Sequence, residues 1–352
     1  MTSKFATKQR RQRGVTLIEL MISVTLGLLL SAIAAYVYQS VQTSSRNLEA
    51  QALRNESASI MFDMIGRDLR QSGFFPAHYP SQATDRFRGK FVDVLVGSPI
   101  VSTTAFRQAV FGCSNATFNT TTGLCNPAVA NAPDSIVVNY FTADTFANSW
   151  EGTRRDCLTN TIEGATFGGF AYNLPRVSTT LPTPLPTTTV AMPLLIQNVY
   201  SLSGLETATF YTDRDIQTRS IRCAGNNAGA TVQPLVQGIE QLRISYGLFD
   251  PQKSSYSAEQ LFTATQVDSL PIISVTNVIN REVTNITGWE RVATIQVCAL
   301  TKTLDPNASL NASTATYTNC DNTVVTPAAT DRAIYKRQIR RFTVRNNIPS
   351  SY

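Results

Sequence analysis

The feature that most constrains this chain is a long stretch near its start that is almost free of charge. Residues 15–45 carry one charged side chain, Glu19. As a helix, at about 1.5 Å per residue, the stretch is about 46 Å long, more than the hydrocarbon core of a bilayer, about 30 Å. Its most apolar part runs from Leu20 to Tyr38. The sequence therefore predicts a helix that spans a membrane at about residues 17–38.

The residues before this stretch, 1–14, form a basic leader. It contains five bases and no acid: Lys4, Lys8, Arg10, Arg11 and Arg13. Positive residues favour the cytoplasmic side of a membrane. We therefore expect a single-pass protein of the inner membrane, with a cytoplasmic N-terminus and a periplasmic head.

The formal net charge of +6 does not indicate a nucleic-acid partner. Removal of the leader leaves 25 bases against 24 acids in the rest of the chain. The basic excess therefore belongs mostly to the orientation signal.

Gly14 and Glu19 distinguish the segment from a secretory signal, which is cut after its apolar region at a small residue. Here the small residue, Gly14, precedes the apolar run. Cleavage after Gly14 would keep the helix and create an α-ammonium at Val15, one helical turn from Glu19. A charge at the centre of a membrane helix costs about 2.5 to 3.5 kcal/mol, so the carboxylate needs a cation. The alternative is that Glu19 lies at headgroup depth and needs no partner.

The run Gly14-Val15-Thr16-Leu17-Ile18-Glu19 resembles the prepilin signal of type IV pilins and type II secretion pseudopilins. That resemblance implies that a prepilin peptidase cuts after Gly14 and methylates Val15. It also implies that Glu19 supports subunit assembly. The family usually has Phe where Val15 stands.

Four further blocks resemble PilW-like minor pilins. They are Met64–Phe74, Gln233–Gly247, Trp289–Val292 and Tyr335–Asn347. The resemblance implies a minor pilin that takes part in the initiation and assembly of the filament and then reaches the pilus and cell surface. Its implied partners are other minor and major pilins and, in a tip complex, a PilY-type adhesin. We interpret the blocks themselves as residues that hold the sheet together.

The hydrophobic pattern predicts an α+β, pilin-like fold with one long helix. The helix covers residues 15–72, is apolar all round at first, becomes amphipathic toward its outer end, and stops at Gly73 and Pro76. Gly66 lies inside it and is expected to weaken it by about 1 kcal/mol relative to Ala.

An antiparallel β-rich head is expected over residues 73–352, with a Pro/Thr-rich excursion at 178–193. From about residue 80 the period of the pattern changes to two. The strand-like runs are Lys90–Val96, Ser135–Phe141, Leu194–Leu202, Ala208–Thr212, Gln241–Phe249, Val292–Leu300 and Tyr335–Val344.

Six cysteines, none in a C-x-x-C pair, favour disulfides in an exported domain over a zinc site. Sequence alone does not choose among the possible pairings. We expect Cys113 with Cys125 and Cys298 with Cys320, which close short loops, and therefore Cys157 with Cys223.

The residue inventory argues against an enzyme, and no cofactor or metal is expected. His78 is the only histidine, and it lies between prolines. Asp213 and Asp215 lack the further ligands of a calcium loop. Two alternatives to a minor pilin stay open: a type II secretion pseudopilin of the GspJ type, and a periplasmic enzyme or binding module that uses residues 15–38 as an anchor.

Overall fold

The computed structural model describes residues 14, 16–74, 108–141, 156–160, 195–208, 216–225, 232–250, 260–276, 283–304, 316–328, 331 and 333–347. Several predicted features lie outside these residues: the leader up to residue 13, Val15, His78, the Lys90–Val96 strand, the 178–193 excursion, and Asp213 with Asp215. The chain divides into two compact units, residues 1–50 and 51–352. The outer part of the long helix, from residue 51 onward, therefore belongs to the same unit as the head.

One long helix, α1, runs from Leu17 to Gln71, close to the predicted 15–72. Gly73 follows it with a φ of +72°, a left-handed conformation that glycine adopts without steric cost. The Gly73 amide donates to the carbonyl of Asn139 at 2.8 Å. The Asn346 side chain donates to the carbonyl of Ser72 at 3.0 Å, so a residue near the C-terminus helps to cap the helix.

The described part of the head contains short and long strands and one short α-helix. The first strands are β1 Val110–Cys113, β2 Phe118–Asn119, β3 Leu124–Cys125, β4 Ser135–Phe141, β5 Leu195–Leu202, β6 Glu206–Ala208, β7 Ile216–Thr218, β8 Ser220–Ala224 and β9 Gln233–Gln237. The later elements are β10 Ile239–Leu248, β11 Leu261–Phe262, α2 Ala264–Asp268, β12 Ile273–Thr276, β13 Val283–Ile286, β14 Val292–Lys302, β15 Tyr317–Thr318, β16 Val324–Val325 and β17 Tyr335–Thr343.

Two sheets dominate the described part of the head. One has the order β1-β4-β5-β8-β9 and the other the order β11-β10-β14-β17. All the strand pairs in the described residues are antiparallel, as the sequence predicts. Of the predicted strand Ala208–Thr212, Ala208 is the last residue of β6, and residues 209–212 lie outside the described residues.

The outer part of α1 packs one face into the head. Its buried apolar residues are Ala58, Met61, Phe62, Ile65 and Leu69. Strand β17 crosses this face at Gly66, where an added Cβ would lie 2.4 Å from a ring carbon of Phe342. The Arg340 guanidinium lies 5.2 Å from the centre of the Phe62 ring. The absent side chain of Gly66 thus makes room for the last strand.

Candidate functional site

The start of α1 is marked by a hydrogen bond to the side chain of a residue just before the helix. Gly14 and Thr16 are exposed and non-helical, and the helix begins at Leu17. The Thr16 hydroxyl accepts from the backbone N–H of Glu19 at 3.4 Å, and the Thr16 carbonyl accepts from the Leu20 N–H at 3.1 Å. Thr16 therefore acts as the N-cap of α1. The Gly14–Val15 bond, where cleavage is predicted, precedes this cap in the chain.

Glu19 lies in the first helical turn and is exposed. An acid at this place is favoured by the partial positive charge of a helix N-terminus. Within the residues that the structure describes, the Glu19 carboxylate has no cationic partner.

The surface of the inner part of α1 is apolar and exposed. Its exposed large apolar residues are Leu17, Ile18, Leu20, Met21, Ile22, Val24, Leu26, Leu28, Leu29, Leu30, Ile33, Tyr36, Val37, Tyr38 and Val41. Among the described residues, α1 is the one helix long and apolar enough to cross a membrane. A surface of this kind is stable in lipid or against other apolar helices, and is unfavourable in water.

Three hydroxyl groups of this segment form hydrogen bonds within the helix. The hydroxyls of Ser23, Thr25 and Ser31 donate to backbone carbonyls three or four residues earlier, at 2.8 to 2.9 Å. No hydroxyl among these three therefore needs a partner from lipid.

A buried carboxylate, Asp68, joins the outer part of α1 to the first sheet. The Tyr200 hydroxyl and the Asn198 amide, both on β5, each donate to Asp68 Oδ2 at 2.6 Å. Burial raises the pKa of Asp68, and these two hydrogen bonds oppose that rise. The cluster holds the helix on the sheet.

A second buried carboxylate, Asp134, joins the two sheets. It accepts from the backbone N–H groups of Asn115 and Ile244, each at 2.8 Å. Arg243 lies 3.4 Å away and also pairs with Asp321 at 2.7 Å. Burial raises the pKa of Asp134, whereas the two N–H donors and Arg243 lower it.

The six cysteines form three disulfides: Cys113–Cys125, Cys157–Cys223 and Cys298–Cys320. These pairs coincide with the expected ones. In the described parts of the chain, no group of three or more His, Cys, Asp or Glu side chains is placed to hold a metal ion.

Sequence reasoning missed three of these residues. Thr16 had a usable signal, because Thr followed three residues later by Glu is the pattern of a capping box. Asp68 had a weaker one, since it falls at helical spacing on the buried stripe that includes Ile65. Asp134 precedes a strand and gave no local signal of its contacts with Ile244.

Comparison with known proteins gives two matches to protein families. The profile described as "Type IV Pilus-assembly protein W" matches residues 208–346, and the profile of the prokaryotic N-terminal methylation motif matches residues 9–35. No curated protein matches the chain significantly.

One similar solved structure is a type IV-like pilin from Thermus thermophilus. It is 7% identical, covers 84% of this chain and 97% of that chain, and has a TM-score of 0.34. A TM-score this low is too small to establish a shared fold.

The methylation motif, the long apolar helix and the antiparallel β-rich head define a type IV pilin-like protein. The apolar helix and the motif anchor such a protein in the inner membrane. Within this class, the match over residues 208–346 supports a PilW-like minor pilin of a type IV pilus. The matched family is one of structural pilus-assembly proteins.

Proposed function

We propose that this chain is cut after Gly14, methylated at Val15, and assembled through α1 into a type IV pilus with other pilins. The observation that carries the proposal is the exposed apolar surface of α1, with the single acid Glu19 in its first turn. Glu19 pairs with an N-terminal ammonium, its own or a neighbour's, and this pairing sets the register between helices. The pairing also offsets the cost of a carboxylate in lipid.

The head stays on the periplasmic side and joins other minor pilins in a complex that initiates the filament. A tip position with a PilY-type adhesin fits this role. The proposal draws here on the family match and on the folded head, whose buried clusters and disulfides suit an exported domain.

The first test is the intact mass and N-terminal sequence of the membrane-extracted protein, with and without a prepilin peptidase. We expect a chain of 338 residues that starts at methylated Val15 only when the peptidase is present. A bulky residue at Gly14 should leave the precursor uncut. A mature chain that keeps Met1, or one cut beyond the apolar run, would refute the processing step.

The second test separates pairing from anchoring. Glu19→Val should insert into the membrane and be processed, yet fail to enter filaments, because the ammonium loses its partner. Incorporation is measured by immunoblotting of sheared pili, and Thr25→Val serves as a control that alters polarity two turns later. Normal incorporation of Glu19→Val into filaments would refute the pairing of Glu19 with an N-terminal ammonium. It would not affect the conclusion on cleavage after Gly14.

A further inference from the structure

Strand β17 has a free edge in the part of the chain that the structure describes. It is the last strand of its sheet, pairs with β14 over nine residues, and has no described strand on its other side. A β-bulge or a proline in an edge strand hinders pairing with a further strand. The pairing of β17 with β14 has no bulge, and β17 contains no proline. The edge therefore offers a long row of backbone donors and acceptors.

This edge is strongly basic. No acid occurs from Tyr335 to Asn347, and the bases of this stretch are Lys336, Arg337, Arg340, Arg341 and Arg345. Among the described residues, Arg340 is the one of these bases that contacts a carboxylate, Asp63, at 3.4 Å.

The other contacts of β17 bases are to uncharged groups. Arg337 donates to the carbonyl of Asn319 at 3.3 Å and to the side chain of Asn322, and Arg341 donates to Gln296 at 2.7 Å. These contacts orient the guanidinium groups without neutralising them. The charge stays available to a partner.

The two faces of β17 differ. Phe342 and Arg340 lie on the face that contacts α1. Alternate residues of a strand share a face, so Arg337, Ile339 and Arg341 lie together on the opposite face. Ile339 is 46% exposed between the two arginines. This face therefore presents an apolar side chain, Ile339, between two basic side chains, Arg337 and Arg341.

Such an edge discriminates between partners. A second copy would bring its own arginines opposite these, and like charges directly opposite one another destabilise a strand pair. A strand with acids at those positions is instead attracted, and backbone hydrogen bonds along the edge supply affinity.

We propose that the free edge of β17 docks an extended acidic segment of another protein. The segment adds to the sheet as a further strand, with acidic, apolar and acidic side chains opposite Arg337, Ile339 and Arg341. This interaction belongs to the head and goes beyond assembly through α1. It does not depend on cleavage at Gly14.

The probe for the test is a fluorescein-labelled peptide of nine residues, the length of β17. It has glutamate at its third and seventh positions, valine at its fifth and threonine elsewhere, so that either strand direction gives the same match. Full-length protein in a non-ionic detergent is titrated into it, and anisotropy is measured. We expect saturable binding that weakens with salt, and no binding of the matching lysine peptide.

Two variants and one modified peptide make the test specific. Arg337→Glu with Arg341→Glu should weaken binding of the glutamate peptide by about tenfold and allow the lysine peptide to bind, since two attractive pairs become repulsive. Arg67→Glu with Arg70→Glu, two exposed bases of α1, makes the same change in net charge and should keep the original preference. Melting curves show whether each variant is folded.

A glutamate peptide methylated on alternate backbone nitrogens keeps its charge but cannot pair along an edge. It should fail to bind the unaltered protein. Equal binding of this methylated peptide would overturn the strand-addition proposal and leave only charge attraction. Absence of binding by the unmethylated glutamate peptide at millimolar protein would also overturn it.

Discussion

At the scale of single residues, Asp68 shows how one charge can fix a helix on a sheet at a cost. Its carboxylate is buried and accepts from Tyr200 and Asn198. Because burial raises its pKa above the unfolded value, the folded state retains a proton that the unfolded chain has already lost. The contribution of Asp68 to the free energy of unfolding is therefore fully present below the pKa of Asp in the unfolded chain, about 3.9. This contribution is lost as the pH rises through the higher pKa of Asp68 in the folded state.

Asp68→Asn should remove this dependence on pH. The quantity to compare is the free energy of unfolding of the variant minus that of the parent. This difference should increase as the pH is raised from about 3 toward 7, whether the substitution itself stabilises or destabilises the protein. Urea unfolding of both proteins over this range measures the difference.

Asp63→Asn is the matched control, because Asp63 lies on the same helix with a side chain that is 73% exposed. This variant removes one carboxylate from the same helix without altering the buried contacts of Asp68 with Tyr200 and Asn198. A parent that gains stability over Asp68→Asn as the pH rises would show that the Asp68 pKa is lowered, contrary to the structure.

Sequence could not separate Asp68 from Asp63. Both lie in a helix among charged neighbours, and only the tertiary contact with β5, about 130 residues away in sequence, buries one of them. Thr16, which sequence reasoning also missed, had a clearer local signal, because a helix cap involves residues that are three positions apart.

At the scale of elements, the packing of β17 on α1 gives Gly66 a structural role that its place in the helix does not indicate. Sequence predicts only a weak point in the helix, whereas in the structure the ring of Phe342 occupies the space where a side chain would lie. The C-terminal end of α1, by contrast, has a local signal in the sequence, because Gly73 follows the last helical residue, Gln71.

Gly66→Ala should therefore destabilise the head instead of stabilising it. The gain in helix propensity is about 1 kcal/mol, but overpacking against Phe342 costs about 1 to 3 kcal/mol. Thermal unfolding followed by circular dichroism should show a lower midpoint, and Phe342→Leu in the same chain should restore part of the loss.

Gly27→Ala serves as the comparison, because nothing lies within 4 Å of a Cβ at that position. It should leave the unfolding of the head unchanged. A head that is stabilised by Gly66→Ala would contradict the packing of Phe342 on the helix.

At the scale of the whole molecule, the antiparallel class was accessible from sequence, but the order of the strands was not. The orders β1-β4-β5-β8-β9 and β11-β10-β14-β17 place strands side by side that are far apart in the chain. The PilW-like blocks meet in this arrangement: β10 pairs with β14, β14 with β17, and β17 covers α1.

The three disulfides should contribute unequally to stability. Cys157 and Cys223 are separated by 66 residues, whereas Cys113 and Cys125 are separated by 12. Loop-closure entropy alone makes loss of the longer link costlier by about 1.5 kcal/mol. Urea unfolding of the two Cys→Ala double variants tests this, and an equal or larger loss from the Cys113/Cys125 pair would contradict it.

The cap that Asn346 places on the end of α1 has a consequence for biogenesis. The helix is made first, but Asn346, which caps the carbonyl of Ser72, follows it by 274 residues in the chain. The head therefore completes its fold only after β17, which covers Gly66, and Asn346 have been translated. A chain that is truncated before β17 would keep its apolar helix with an open core, and so would be a substrate for proteases.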